Sequence, residues 1–266
     1  MKNTAPARLN RVGRRFANAA LGLIYPPVCQ ICTTRPARAD NGFVCKACAA
    51  HARFIEPPFC NRCGLPFEGA INEGDFECAH CRELETHFDH ARAAVALEGP
   101  VQVALCRFKY EQAEWFEPFL AGLLIKHAAP TLAAEPWDFI LPVPLHPVKL
   151  RAREFNQADR LARRLAKATS IPHRQHLLRR VKPTCTQTRL NRAGRAANLR
   201  GAFLADGSGL LANARVVLVD DVLTTGATAN EVAAALRRVG ALRVAVWTVA
   251  RGLFRPVLAC ETAPNI

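Results

Sequence analysis

The chain has 266 residues, half of them hydrophobic, and carries 36 basic against 22 acidic side chains, a formal net charge of +14 and a sequence pI near 9.8. This length and apolar share allow one α/β domain with a sizeable core beside a smaller unit, and the positive balance points to polyanionic partners, either nucleic acid or the phosphates of a substrate. No apolar run approaches the length of a bilayer-spanning helix, which excludes a transmembrane segment.

Residues 1–25 are expected to form a basic amphipathic segment. Basic residues cluster over 8–15, and an apolar run over 17–24 ends at Pro26 and Pro27 instead of a small-residue cleavage site. A helix packed on the next module is the plain expectation, with transient contact to a membrane or nucleic acid as the alternative. The chain accordingly reads as cytoplasmic, transiently at the inner membrane face.

Residues 26–88 hold eight of the eleven cysteines as four C-x-x-C pairs: Cys29/Cys32, Cys45/Cys48, Cys60/Cys63 and Cys78/Cys81. Each pair can present two thiolates to one zinc ion, so two tetrahedral structural sites are expected. Sequential pairing would join the first two pairs and the last two, and interleaved pairing is open. Disulfides are the rival reading, but they belong to oxidising compartments. His51 and His80 lie beside these pairs and are expected to face solvent, since the sulfurs already fill both sites. Cys106, Cys185 and Cys260 read as unpaired, and Cys185, in a polar threonine-rich stretch, is the candidate reactive thiol.

Residues 89–255 read as an α/β domain, followed by a tail over 256–266. An edge strand is expected over 91–97, a helix over 115–127 and an apolar strand from Phe139 to an irregular end at Pro142 and Pro144. The segment L-H-P-V-K-L-R-A-R-E-F-N-Q then leads into a helix over 157–167. Lys149, Arg151 and Arg153, alternating at the end of a strand, could neutralise a pyrophosphate, while Asn156 and Gln157 begin the helix and aim donors at it. A solvated basic loop is the plain alternative. Residues 182–203 are basic, polar and weakly periodic, as a closing lid would be; Gln187, Arg189, Arg192 and Arg195 are its candidates for reaching a leaving group. An arginine run that is solvated or binds nucleic acid competes with that reading.

Residues 216–228, V-V-L-V-D-D-V-L-T-T-G-A-T, are the most informative stretch. Four uninterrupted apolar residues form a strand buried on both faces, and Asp220 and Asp221 follow at its carboxyl end. Thr224, Thr225, Gly226, Ala227 and Thr228 then turn into a helix over 229–239, and a strand over 242–250 completes a βαβ unit. Gly226 lets the backbone approach a ligand, and free N–H groups at a helix start favour a phosphate. The two carboxylates suit sugar hydroxyls or a divalent cation such as magnesium. No Walker loop or dinucleotide fingerprint is present.

This run resembles the phosphoribosyl pyrophosphate (PRPP) signature of type I phosphoribosyltransferases. The resemblance implies that Asp220 and Asp221 hold the ribose hydroxyls as the catalytic pair and that the loop from Thr224 to Thr228 holds the 5-phosphate. The order of cysteine pairs, C-R-F-K-Y, P-V-P-L-H-P with F-N-Q, then Gln187, Arg192, Asn198, G-A-F and the PRPP motif is similar to the ComF family of competence proteins. That likeness implies a double zinc ribbon preceding a type I phosphoribosyltransferase-like domain, with a mostly parallel twisted sheet, flanking helices, and PRPP with magnesium as ligand. It also implies an association with single-stranded DNA and the DNA-uptake machinery. One departure is Glu154, where the family has glycine. An amidotransferase reading fails for want of a glutaminase with an amino-terminal nucleophilic cysteine. Two functions remain: transfer of a 5-phosphoribosyl group to an unidentified acceptor, or non-catalytic handling of single-stranded DNA on the same fold.

Overall fold

The computed structural model describes residues 27–67, 76–83, 85–183 and 199–253. The amino-terminal segment, the carboxyl-terminal tail, Cys185, Cys260 and the lid candidates Gln187, Arg189, Arg192 and Arg195 lie outside them.

A four-stranded parallel sheet forms the centre, built from β1 (His90–Ala96), β2 (Phe139–Pro142), β5 (Arg215–Leu223) and β6 (Arg243–Arg251) in the order β1-β6-β5-β2. Its register sets Ile140 beside Val217, and Val217 in turn beside Ala245. The unbroken apolar run in β5 follows from burial on both sides, because successive side chains of a strand alternate between faces. Val217 and Val219 join Trp247 and Val249 against one set of helices. These are α3 (Gly99–Tyr110), α4 (Glu117–Ala133) and α6 (Gln157–Thr169). Val216, Leu218, Val244 and Val246 face the other way, toward α7 (Ala227–Arg238) and a two-stranded antiparallel sheet of β3 (Leu178–Arg180) and β4 (Phe203–Ala205). On α6 the buried Leu161 and Leu165 recur one turn apart, flanked by Ala158 and Ala162, so that helix lies close on the sheet. Glu117, at the start of α4, is 8% exposed and pairs with Arg160 at 3.0 Å and Arg164 at 2.5 Å, which ties α4 to α6.

The expected edge strand is present, but its outer side is occupied. Ile55 donates its N–H to the Ala94 carbonyl at 3.0 Å, and Ala96 donates to Arg53 at 2.8 Å, so residues 53–55 pair antiparallel with β1. This satisfies a row of backbone groups that would otherwise template aggregation. The cysteine-rich module also carries two short helices, α1 (Lys46–Ala50) and α2 (Ala79–Glu83). Gly64, just after Cys63, has φ 64°, and a Cβ there would stand 2.7 Å from the Ala91 carbonyl, so only glycine lets the module approach β1 this closely. Cys106 is disulfide-bonded, against the expectation that it is unpaired.

The basic segment before α6 is the main departure from the expected elements. Pro147 opens a helix, α5 (Pro147–Arg153), and the His146 ring caps it by accepting the Val148 N–H at 3.3 Å. Lys149, Arg151 and Arg153 therefore do not alternate as on a strand. Lys149 and Arg153, one turn apart, share a face, and Arg151 is turned to solvent.

Candidate functional site

Two kinds of site are built on this frame. The first is a pair of sulfur clusters: Cys29, Cys32, Cys45 and Cys48 in one, Cys60, Cys63, Cys78 and Cys81 in the other, with ligand atoms within 4.8 Å of one another in each. Sequential pairing is what the fold adopts, and all eight cysteines are free of disulfides. Backbone N–H groups point at the sulfurs: Cys45 donates to Cys29 at 3.3 Å, Cys48 to Cys45 at 3.4 Å and Cys78 to Cys60 at 3.3 Å. The Thr34 hydroxyl, with the N–H groups of Thr34 and Arg35, pulls the Cys32 thiol down to about 5. Burial, with the neighbouring sulfurs, pushes Cys48 up to about 12. Four sulfurs this close cannot all be anionic without a cation between them, and four thiolates in this spacing are the donor set of a closed tetrahedral zinc site. Both clusters are therefore compatible with structural zinc.

The second site is a cleft at the carboxyl ends of β2 and β5. Helix α6, which follows β2 after the short α5, and α7, which follows β5, pack on opposite faces of the sheet. A crevice opens between parallel strands wherever their connections part in this way. The cleft is lined by Asp220 and Asp221 from β5, Thr228 from the first turn of α7, Lys149 and Arg153 from α5, Asn156 and Gln157 from the start of α6, Lys109 and Tyr110 from α3, and Arg180 from β3. Asp221, 7% exposed, pairs with the Lys109 ammonium at 2.9 Å. Asp220 accepts the Asp221 N–H at 2.8 Å. Burial, then the adjacent Asp221 carboxylate, push the Asp220 carboxyl up to about 7 against the pull of Lys109.

The loop after β5 has the shape its sequence implies. Gly226 has φ 80°, in the left-handed region, and stands at the amino-terminal cap of α7. The Thr225 hydroxyl accepts the Ala227 N–H at 3.4 Å, and Asn230 bonds back to the Gly226 carbonyl at 2.8 Å. Thr224 is exposed and Thr228 faces the cleft.

The remaining expected site residues divide. Asn156 lines the cleft, but its side chain caps α6 by accepting the Ala158 N–H at 3.1 Å and donates to the Val143 carbonyl at 3.0 Å. Gln157 is 1% exposed, bonds the Phe108 carbonyl at 3.4 Å and accepts from Arg153 at 3.4 Å, so it holds Arg153 in place. Arg153 also lies 5.2 Å over the Tyr110 ring. Glu154 has φ 65°, a conformation that suits glycine, and its exposed carboxylate does not line the cleft. Lys109, Tyr110 and Arg180 were not singled out by residue from the sequence. Their available signals were the C-R-F-K-Y string and the basic run over 174–200.

A sheet of this order with an acidic pair and a phosphate loop at its carboxyl edge, preceded by two four-cysteine clusters, defines a phosphoribosyltransferase-like domain joined to a double zinc ribbon. Comparisons with known proteins agree: the double zinc ribbon domain family matches residues 20–84 and the phosphoribosyl transferase domain family residues 158–256. The chain is 33% identical over 217 residues to competence protein F of Haemophilus influenzae, covering 80% of this chain and 92% of that protein. It is 28% identical to DNA utilization protein YhgH of Escherichia coli strain K12, over 87% of this chain and all of that protein. Among solved structures, a purine phosphoribosyltransferase from Pyrococcus horikoshii is 20% identical with a TM-score of 0.32, covering 57% of this chain and 93% of that one. The chain belongs to the ComF family of competence proteins.

Proposed function

We propose that the protein binds PRPP as its magnesium complex, transfers the 5-phosphoribosyl group to an acceptor, and serves the handling of DNA taken up in natural transformation. The observation that carries this reading is the meeting, in one cleft, of an acidic pair, a glycine-capped helix start and the cations Lys109, Lys149, Arg153 and Arg180. The DNA association is drawn from the printed names of the relatives, competence protein F and DNA utilization protein YhgH.

In this reading the N–H groups of the loop from Thr224 to Thr228 hold the 5-phosphate, and Asp220 and Asp221 accept hydrogen bonds from the ribose hydroxyls. Magnesium supplies charge neutralisation on the pyrophosphate. The bond from ribose C1 to the pyrophosphate oxygen breaks with its electron pair leaving on pyrophosphate, and the acceptor's lone pair forms the new bond to C1. Lys149, Arg153 and Arg180 stabilise the charge that gathers on the leaving group, which is where preorganised cations lower a barrier most. Two structural zinc ions hold the ribbons.

The test is calorimetry with PRPP and magnesium on the zinc-loaded protein, with the double variant Asp220→Ala/Asp221→Ala as the control. Saturable binding that the double variant loses is the expected result; no binding by folded wild-type protein would retire the transferase reading. Lys109→Met is expected to weaken PRPP binding about tenfold or more, the scale of one charged hydrogen bond, and to lower the melting temperature, because it leaves the buried Asp221 carboxylate without its partner. A second reading, non-catalytic handling of single-stranded DNA, is favoured by the net charge of +14. It requires affinity that falls steeply with salt and survives Asp221→Ala.

A further inference from the structure

The phosphate loop is fastened from behind by the second cysteine cluster. Arg251, the last residue of β6, is 1% exposed. Its Nη1 donates to the Leu223 carbonyl at 2.9 Å and to the Thr224 carbonyl, and its Nη2 lies 3.6 Å from Cys63 Sγ. The Gly252 carbonyl lies 3.4 Å from Nη1, so three backbone carbonyls and the Cys63 sulfur surround this buried cation. A buried guanidinium stripped of these acceptors would be costly, so the contacts hold it in one place.

A second fastening comes from His80, between Cys78 and Cys81. Its Nε2 stands 3.1 Å from the Thr225 carbonyl, so this half-buried histidine bonds the loop and does not replace a cysteine. The carbonyls of Thr224 and Thr225 are thus both tethered to the ribbon side. Because each peptide unit is planar and trans, tethering these carbonyls aims the N–H groups of Thr225 and Gly226 the opposite way, where a phosphate can accept them. The first cluster has a different neighbour: Gln30, between Cys29 and Cys32, receives the Arg107 guanidinium of α3 at 2.7 Å, and no hydrogen bond among the described residues joins that cluster to the loop.

We infer that the second four-cysteine centre is a positioning device for the phosphate loop, acting through Arg251 and His80, while the first centre only braces the scaffold. The inference rests on reading the loop as the 5-phosphate site. Zinc held by the four cysteines would fix the Cys63 sulfur in place. Cys63 holds Arg251, Arg251 holds Thr224, and His80 holds Thr225. Neither Arg251 nor His80 touches the ligand, so both are positioning residues.

The experiment compares wild-type protein, His80→Ala, Arg251→Met and Cys63→Ser with Cys32→Ser as the first-centre control. Three readouts are taken on each: zinc content, hydrogen–deuterium exchange of residues 224–230, and PRPP affinity by calorimetry. His80→Ala and Arg251→Met should keep both zinc ions, exchange the loop segment at least tenfold faster than wild type with the centre of β6 unchanged, and bind PRPP at least tenfold more weakly. Cys63→Ser should reproduce the loop effect and Cys32→Ser should not. Unchanged loop exchange in His80→Ala, whose side chain is only half-buried and whose loss leaves all eight sulfurs in place, would overturn the inference even if Arg251→Met fails to fold. Should wild type not bind PRPP while loop exchange still responds, the transferase reading falls and the positioning role stands. Should all variants bind PRPP like wild type, the positioning role falls and the transferase reading stands.

Discussion

Asp220→Asn is expected to stabilise the folded protein at pH 8 while abolishing PRPP binding. The Asp220 carboxyl binds its proton up to about 7 when folded, against 3.8 for the free side chain, because burial and then Asp221 disfavour its charge. Between those values the folded state holds more protons than the unfolded state, so the slope of unfolding free energy with pH is negative and stability declines as pH rises toward 7. Asparagine removes that penalty. The variant should gain on the order of a few kcal/mol at pH 8 and progressively less as pH falls toward 4. Lys109, Arg180 and Asp221 all face this group, so the wild-type slope reports the whole cleft. Urea unfolding at pH 5 and pH 8 measures both limbs. Equal destabilisation by the variant at both pH values would show that Asp220 is built into the fold and is not held under strain for a ligand. A site that costs stability when empty is a common signature of a binding centre.

Metal removal should have the largest effect of all. The module over 27–83 has a small apolar core beyond its sulfurs; around the second cluster, among the described residues, only Leu65 and Phe76 pack against the four cysteines. Zinc at the two clusters would then supply much of its folding free energy, about 10 kcal/mol or more per site in isolated zinc-binding peptides. Chelation is expected to expose the module to proteolysis and to strip residues 53–55 from β1. The freed backbone groups of Ala94 and Ala96 then template pairing with other chains, so light scattering should rise with protein concentration. A chelated sample with no residual zinc whose module still resists protease would show that packing against the sheet suffices to hold it.

Much of this could be read from residue types and spacing alone. The apolar run of β5 and the turn with Gly226 announce a buried strand, a cleft edge and a phosphate-shaped loop, because each local choice agrees with the fold. The cysteine pairs announce two clusters, although only the folded sulfurs decide between sequential and interleaved pairing. What the sequence concealed arises from contacts distant along the chain. Lys109 of α3 reaches Asp221 of β5, Arg180 arrives from β3, and the Arg251 contact with Cys63 joins residues 188 apart in the chain. The error over Lys149, Arg151 and Arg153 has a local cause: Pro147 and the His146 cap switch the period from two to 3.6 immediately after a real strand. The glycine expected at Glu154 is explained by its backbone, since a left-handed residue ends α5, and the exposed carboxylate is not part of the cleft lining.

The sheet order also governs when the molecule can become itself during synthesis. His90 of β1 pairs with Ala245 of β6, so the first strand made must wait for the last. The ribbons close over short sequence separations and can form while the rest of the chain is still in the ribosome. Their residues 53–55 then shield the outer edge of β1 throughout that wait. On this view the metal module acts first as a tethered chaperone for its own nascent domain, and long-range pairing is the slow step that follows.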